Sequence, residues 1–188
     1  MAVDFIFEQP TFDIPTKEFL RNEWSNVPNK NIVDVVAGEE QYLIFQRFLL
    51  ENLYHTKEGC QHSPPYKHPL GLNVRAGAVK AAILLTASIA EAVLRAHAEK
   101  RNFQWKDKEE HRTFGKVLNV WKQNNQPHPD ISEIWKELQG FRDARNNVHL
   151  FKAADNPEAV FNRVLEAEEK IFKNIDKVLL HLKKLVSP

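Results

Sequence analysis

Apolar residues return at helical intervals along most of this 188-residue chain, and that period constrains its fold more than any other feature. Near the C-terminus Phe161, Val164, Ile171, Ile175, Val178, Leu182 and Leu185 recur in steps of three, four or seven. At about 100° per residue such steps keep one apolar stripe on one side of a helix. Tyr42, Phe45, Leu49 and Leu53 form a second stripe after Gly38-Glu39-Glu40, where two carboxylates suit the positive end of a helix. A third segment, from Asn73 to about Arg101, mixes small residues (Ala78, Ala81, Ala82, Ala87, Ala90) with Ile83, Leu84, Ile89, Val93 and Leu94. Small residues let a neighbouring helix approach closely, so this segment is expected at the centre of the fold.

Helix-start signals divide the remainder. Asp107 with Glu110 and Asp130 with Glu133 have the spacing of a capping pair, and Asn156-Pro157 places proline where its missing N–H costs nothing. Long helices are expected over 39–55, 74–101, 131–151 and 157–185, with a shorter one through Phe114 and Trp121 that ends at Asn124-Asn125. Short connections favour antiparallel neighbours. The expected class is all-α, an antiparallel four- to five-helix bundle with an irregular N-terminal arm. The arm covers 1–36, where Val3, Phe5 and Phe7 and the run Ile32 to Val36 are β-like and either pair as a short hairpin or pack extended on the bundle. The bundle covers 37–188, with a proline- and glycine-rich loop at about 56–72.

Composition excludes several classes. Hydrophobic residues at 43% and charged residues at 27% are ordinary for a folded domain. The net charge of +1 gives no global attraction to nucleic acid, so any such site is a local patch. The single cysteine, Cys60, allows no internal disulfide. An acidic N-terminus unlike a signal peptide, and an apolar run at 81–90 too short for a bilayer, lead to the expectation of a cytoplasmic protein without a membrane partner. His55, Cys60, His62 and His68 are metal-ligand types, but their spacing matches no four-ligand pattern. Phosphate-cradling glycine loops, nucleophile elbows and paired cysteines are missing as well. Neither a metal nor a cofactor is expected.

The chemistry concentrates in Phe141-Arg142-Asp143-Ala144-Arg145-Asn146-Asn147-Val148-His149-Leu150. On a helix Arg142, Arg145, Asn146 and His149 share an arc of about 100°. Forked guanidinium donors match phosphate oxygens, and imidazole moves a proton near neutral pH. The bland reading is a solvated face, with the arginines paired to acids and His149 favoured by the dipole at the helix end.

This stretch resembles the motif of the HEPN superfamily, helical domains that act as metal-independent ribonucleases or RNA-binding modules: an Arg, a polar residue, and a His a few residues on. Arg142, followed by Asp143, has six residues between it and His149, within the family's spacing; Arg145, followed by Asn146, has three, one short of it. Both registers stay open. The resemblance covers about 71–188 and implies that His149 is the general acid or base, that Arg142 or Arg145 stabilises phosphate charge, and that Asn146 orients them. It also implies a polar residue from an earlier helix facing the motif, for which Glu91, on one side of its helix with Ser88 and Arg95, is the candidate; the competing reading is a local Glu91–Arg95 pair. Glu168, within the last apolar stripe, is either a partner for a motif arginine or a residue at the core rim. Tyr66, Trp105 and Trp121 are candidates for base stacking, though aromatics at helical spacing are more often core. The partners implied are RNA, a second copy of the chain and an antitoxin. Family toxins carry a modifiable tyrosine two positions after the His, where this chain has Phe151. The alternatives are a non-catalytic HEPN dimerisation or ligand-binding module, and a purely structural helical scaffold.

Overall fold

The structure, a computed structural model, describes residues 4–7, 13–56, 72–106, 108–147 and 164–187. The protein is predominantly helical. Its elements are β1 (Asp4–Phe7), α1 (Lys17–Glu23), α2 (Lys30–Asn52), β2 (Leu53–Thr56), α3 (Leu72–Lys100), α4 (Phe114–Val120), β3 (Lys122–Gln123), β4 (Gln126–Pro127), α5 (Trp135–Asn147) and α6 (Glu168–Lys183). Single 3-10 segments, Glu109–His111 and Pro129–Ile134, precede α4 and α5.

Helix α3 is the hub, packing against α2, α4, α5 and α6. Ala82, Ala87 and Ala90 are buried beside Val79, Ile89, Val93 and Leu94, as the small-residue pattern leads one to expect. Each large apolar side chain removed from water there contributes about 1.5–3 kcal/mol. By length and composition Val74–Lys100 is able to cross a bilayer, a longer apolar span than the run at 81–90; half of that window is buried within the fold.

Polar contacts give the helix directions. At the start of α3, Arg75 Nη1 donates to the Leu50 carbonyl near the end of α2 (2.7 Å), so the two run antiparallel. Between α2 and α6, Arg47 meets Asp176 (3.0 Å) and Glu40 meets Lys183 (2.7 Å), again antiparallel. Glu137 in the first turn of α5 accepts from Lys177 of α6 (2.7 Å), and His181 Nε2 lies 2.6 Å from the Asp130 carbonyl just before α5.

The largest departure from expectation is at α2. Gly38-Glu39-Glu40 does not start a helix. The helix begins at Lys30, with Asn29 Oδ1 accepting from the Asn31 and Ile32 amides (3.0 and 3.3 Å), and Gly38 lies inside it. The run Ile32 to Val36 is therefore helical, because Val33, Val36, Ala37, Glu40 and Leu43 repeat at helical spacing and are buried against the core. Burial overrides the β preference of branched residues. Glu40 is an interior group instead of a helix-start charge. Its Oε2 accepts from Trp24 Nε1 and its Oε1 from Lys183 Nζ, both at 2.7 Å. β1 does form a hairpin-like pair, but with β2 in antiparallel register (Phe5 opposite His55), not with 32–36.

Two further boundaries differ. The segment before α4 is broken at Arg112-Thr113, so the helix through Trp121 is short. Its end passes into the β3–β4 hairpin, whose two-residue turn holds Asn124 at φ 50° and Asn125 at φ 64°. Positive φ at both central residues is the turn that matches strand twist, and asparagine tolerates it better than most side chains. At the next element, Asp130 does not cap α5 as a pair with Glu133. Instead His128 Nδ1 accepts from the Asp130 amide (3.2 Å) and a 3-10 segment leads in. The expected loop near 56–72, the start of the last helix at Asn156-Pro157 and the helix end at Phe151 lie outside the described residues.

Candidate functional site

The motif helix α5 is anchored by Leu138 and Phe141, which are buried, while Arg142 and Arg145 sit on its partly exposed side. Arg145 Nη1 donates to Glu91 Oε2 of α3, a contact that ties the middle of the hub helix to the last turn of α5. Glu91 is therefore joined to Arg145 of the motif helix. The competing local pair with Arg95 is not formed, since Arg95 instead donates to Glu99 (2.9 Å) and Glu109 (2.7 Å).

Arg142 behaves differently. Its Nε and Nη2 both donate to Asp143 Oδ1, the neighbouring residue, at 2.9 and 2.7 Å. Its aliphatic stem lies against the start of α4, where a Cβ on Gly115 would stand 3.7 Å from Arg142 Cδ. The two arginines thus have distinct surroundings: one is tethered across helices and the other is held by its own chain neighbour. Asn146 is in the last turn of α5, and His149 lies outside the described residues.

Beside Glu91 is a groove of about 450 Å³ between α2 and α3, lined in part by Ile32, Ser88, Ala92 and Arg95, with Glu99 and Glu109 at its edge. Three carboxylates against one guanidinium make this groove unsuited to phosphate. An anion that binds Arg145 competes with Glu91 for its guanidinium.

Glu168 is not a partner of the motif helix; it is partly exposed, at the rim of the core. It makes a two-point ion pair with Arg75, which is buried. Nothing in the sequence marks Arg75 as its partner, since 93 residues separate them. Trp121 is wholly buried, with Nε1 donating to the Leu94 carbonyl (3.0 Å), and Trp105 is covered by Arg112 at 4.5 Å from its ring centroid. Neither is an open stacking platform. Tyr66, Cys60, His62 and His68 lie outside the described residues, among which no group of three or more metal-ligand side chains converges.

Fold and site together define a helical protein with a cross-helix carboxylate–arginine pair beside an arginine-bearing helix end. Compared with known proteins, the chain gives no significant match to a family model, a curated protein or a solved structure.

Proposed function

We propose that the protein is an HEPN-like antiparallel bundle of four long helices, α2, α3, α5 and α6, that binds RNA and cleaves it without a metal, in a cytoplasmic toxin or defence role. The observation that carries the reading is the Glu91–Arg145 pair, a carboxylate from an earlier helix meeting a motif arginine. In this reading His149, two residues beyond α5, takes the proton of the ribose 2′-hydroxyl or returns one to the leaving 5′-oxygen. The 2′-oxygen then displaces that 5′-oxygen at phosphorus and leaves a cyclic phosphate end. Arg142 or Arg145 neutralises the charge that builds on the phosphate. A homodimer in which two α5 ends face one another would gather positive charge that a chain of net charge +1 lacks. An antitoxin is the further partner in this role.

The test is RNA cleavage in chelator. Activity is expected to persist there and to fall by about two to four orders of magnitude in His149→Ala. Of Arg142→Ala and Arg145→Ala, the more damaging identifies the working register. Undiminished cleavage by the His149 variant overturns the assignment. Light scattering at micromolar concentration tests the dimer.

One observation favours a second reading, a non-catalytic RNA-binding module. Both motif arginines already meet carboxylates, Asp143 and Glu91. Salt-sensitive RNA binding that depends on both arginines, without cleavage, selects it.

A further inference from the structure

A second groove, of about 440 Å³, runs along the outer side of the α2–α3 pair and meets the groove beside Glu91 at Ser88 and Ala92. Val35, Glu39, Tyr42 and Gln46 of α2 form one wall, at steps of three and four residues that put them on one face. The other wall is α3, with Ala81, Leu84, Leu85 and Ala92 beside the hydroxyl of Ser88. Each wall covers roughly three helical turns, about 16 Å at 1.5 Å per residue. Val35 and Tyr42 are exposed, and apolar surface left open to water in one place marks an interaction site.

The polar groups of this groove are unmatched acceptors. Glu39 is half-buried, and among the described residues no cation or hydrogen-bond donor meets its carboxylate. Asp13, Glu18, Glu110 and Glu166 are unpaired as well, but they are exposed to water, where a lone charge costs little. Further along the same face, Gln46 Oε1 is buried with no donor among the described residues. The acids of the adjoining groove differ, since Glu91 meets Arg145, and Glu99 and Glu109 both meet Arg95. A carboxylate partly withdrawn from water beside apolar side chains favours an occupant that brings a cation to it.

We infer that this groove docks an amphipathic helix of a partner protein, laid along α2 and α3 with its apolar stripe against Tyr42, Leu84 and Leu85 and a lysine or arginine at Glu39. The small side chains of Ala81, Ser88 and Ala92 leave α3 open to the close approach that helix packing requires. A second copy of this chain, on a two-fold axis through the groove, would set Glu39 against its own equivalent. A lipid surface would bury the same charge in hydrocarbon. The inference involves no motif residue and does not depend on RNA binding.

The experiment is selection of phage-displayed helix-forming peptides, apolar at positions three and four apart and randomised between them, on the whole chain and on Glu39→Lys. Fluorescence anisotropy of the leading labelled peptide from each selection follows. The wild type is expected to select Lys or Arg at one fixed place beside the apolar stripe, and Glu39→Lys to select Asp or Glu there. The wild-type peptide should lose at least about tenfold in affinity for Glu39→Lys, and as much for Ser88→Trp, whose indole fills the groove from an exposed position. Glu166→Lys, the same charge change at an exposed site elsewhere, should leave its affinity unchanged. Circular dichroism verifies that each variant folds. Failure of any peptide to bind, a charge preference that does not follow position 39, or equal binding by Ser88→Trp overturns the inference. So does a wild-type dimer in light scattering that Ser88→Trp separates, which would make a second copy the occupant. Binding to phosphatidylcholine vesicles that Leu84→Ser abolishes would overturn it in favour of a lipid surface.

Discussion

Arg75 and Glu168 meet in a two-point contact where α3 and α6 begin side by side, with Nε to Oε2 at 2.7 Å and Nη2 to Oε1 at 2.5 Å. Arg75 also donates to the Leu50 carbonyl, so one buried guanidinium joins the ends of three helices. Removing only the acid strands a buried charge, which costs more than the pair itself contributes. Glu168→Ala is therefore expected to lower unfolding free energy by about 3–5 kcal/mol. In Arg75→Met/Glu168→Leu most of that loss should be recovered. Urea denaturation measures both, and equal destabilisation by the single and double variants would contradict the account.

His97 is wholly enclosed, with Nδ1 2.7 Å from Ser187 Oγ and Nε2 buried without a partner. Burial, aided by the nearby Arg101 cation, pushes its pKa down to about 4. The unfolded chain binds this proton near pH 6.5 and the folded chain does not, so stability falls as pH drops from about 6.5 to about 4. The expected contribution is about 2–4 kcal/mol. His97→Gln should flatten that part of a stability-versus-pH curve, and an unchanged curve would show that other groups govern acid sensitivity.

Gly140 lies within α5, and a Cβ there would meet nothing within 4 Å. Glycine in a helix interior carries a conformational cost of about 0.5–1 kcal/mol relative to alanine. Gly140→Ala is expected to stabilise the protein by about that amount in thermal or urea unfolding. Gly38→Ala should do likewise, since the added Cβ would meet only the flexible end of Lys17 at 3.8 Å. Destabilisation at either site would indicate a packing role for that glycine.

The Glu91–Arg145 pair is half-exposed, so its loss should change stability by less than about 1 kcal/mol. Its effect on ligands is larger. Under the RNA-binding reading Glu91→Gln frees Arg145, and oligouridine affinity at low salt should rise with a slope steeper by about 0.7. The cleavage rate should fall, because Arg145 loses the group that positions it. Weaker RNA binding in Glu91→Gln would mean that Glu91 does not compete with phosphate.

Local period was legible along α3, α5 and α6 because side chains three and four residues apart share a face whatever the rest of the chain does. The small residues of α3 foretold the hub, whereas the shared face of Ser88, Glu91 and Arg95 left a cross-helix partner and a local Glu91–Arg95 pair both open, and Glu91 became a candidate only through the family resemblance. Other features were decided only when distant segments met. Ile32 to Val36 is a β-like run rich in branched residues, yet the burial of Val33 and Val36 in the core makes it helical, and the same helix carries Glu40, expected as a helix-start charge, to its buried place as the partner of Trp24 and Lys183. Which carboxylate meets which cation was likewise tertiary: Arg75 finds Glu168 across 93 residues, and Arg145 finds Glu91 across 54. A charge in a sequence can pair with any opposite charge the chain brings near, so only the packed helices, through distance and burial, select one.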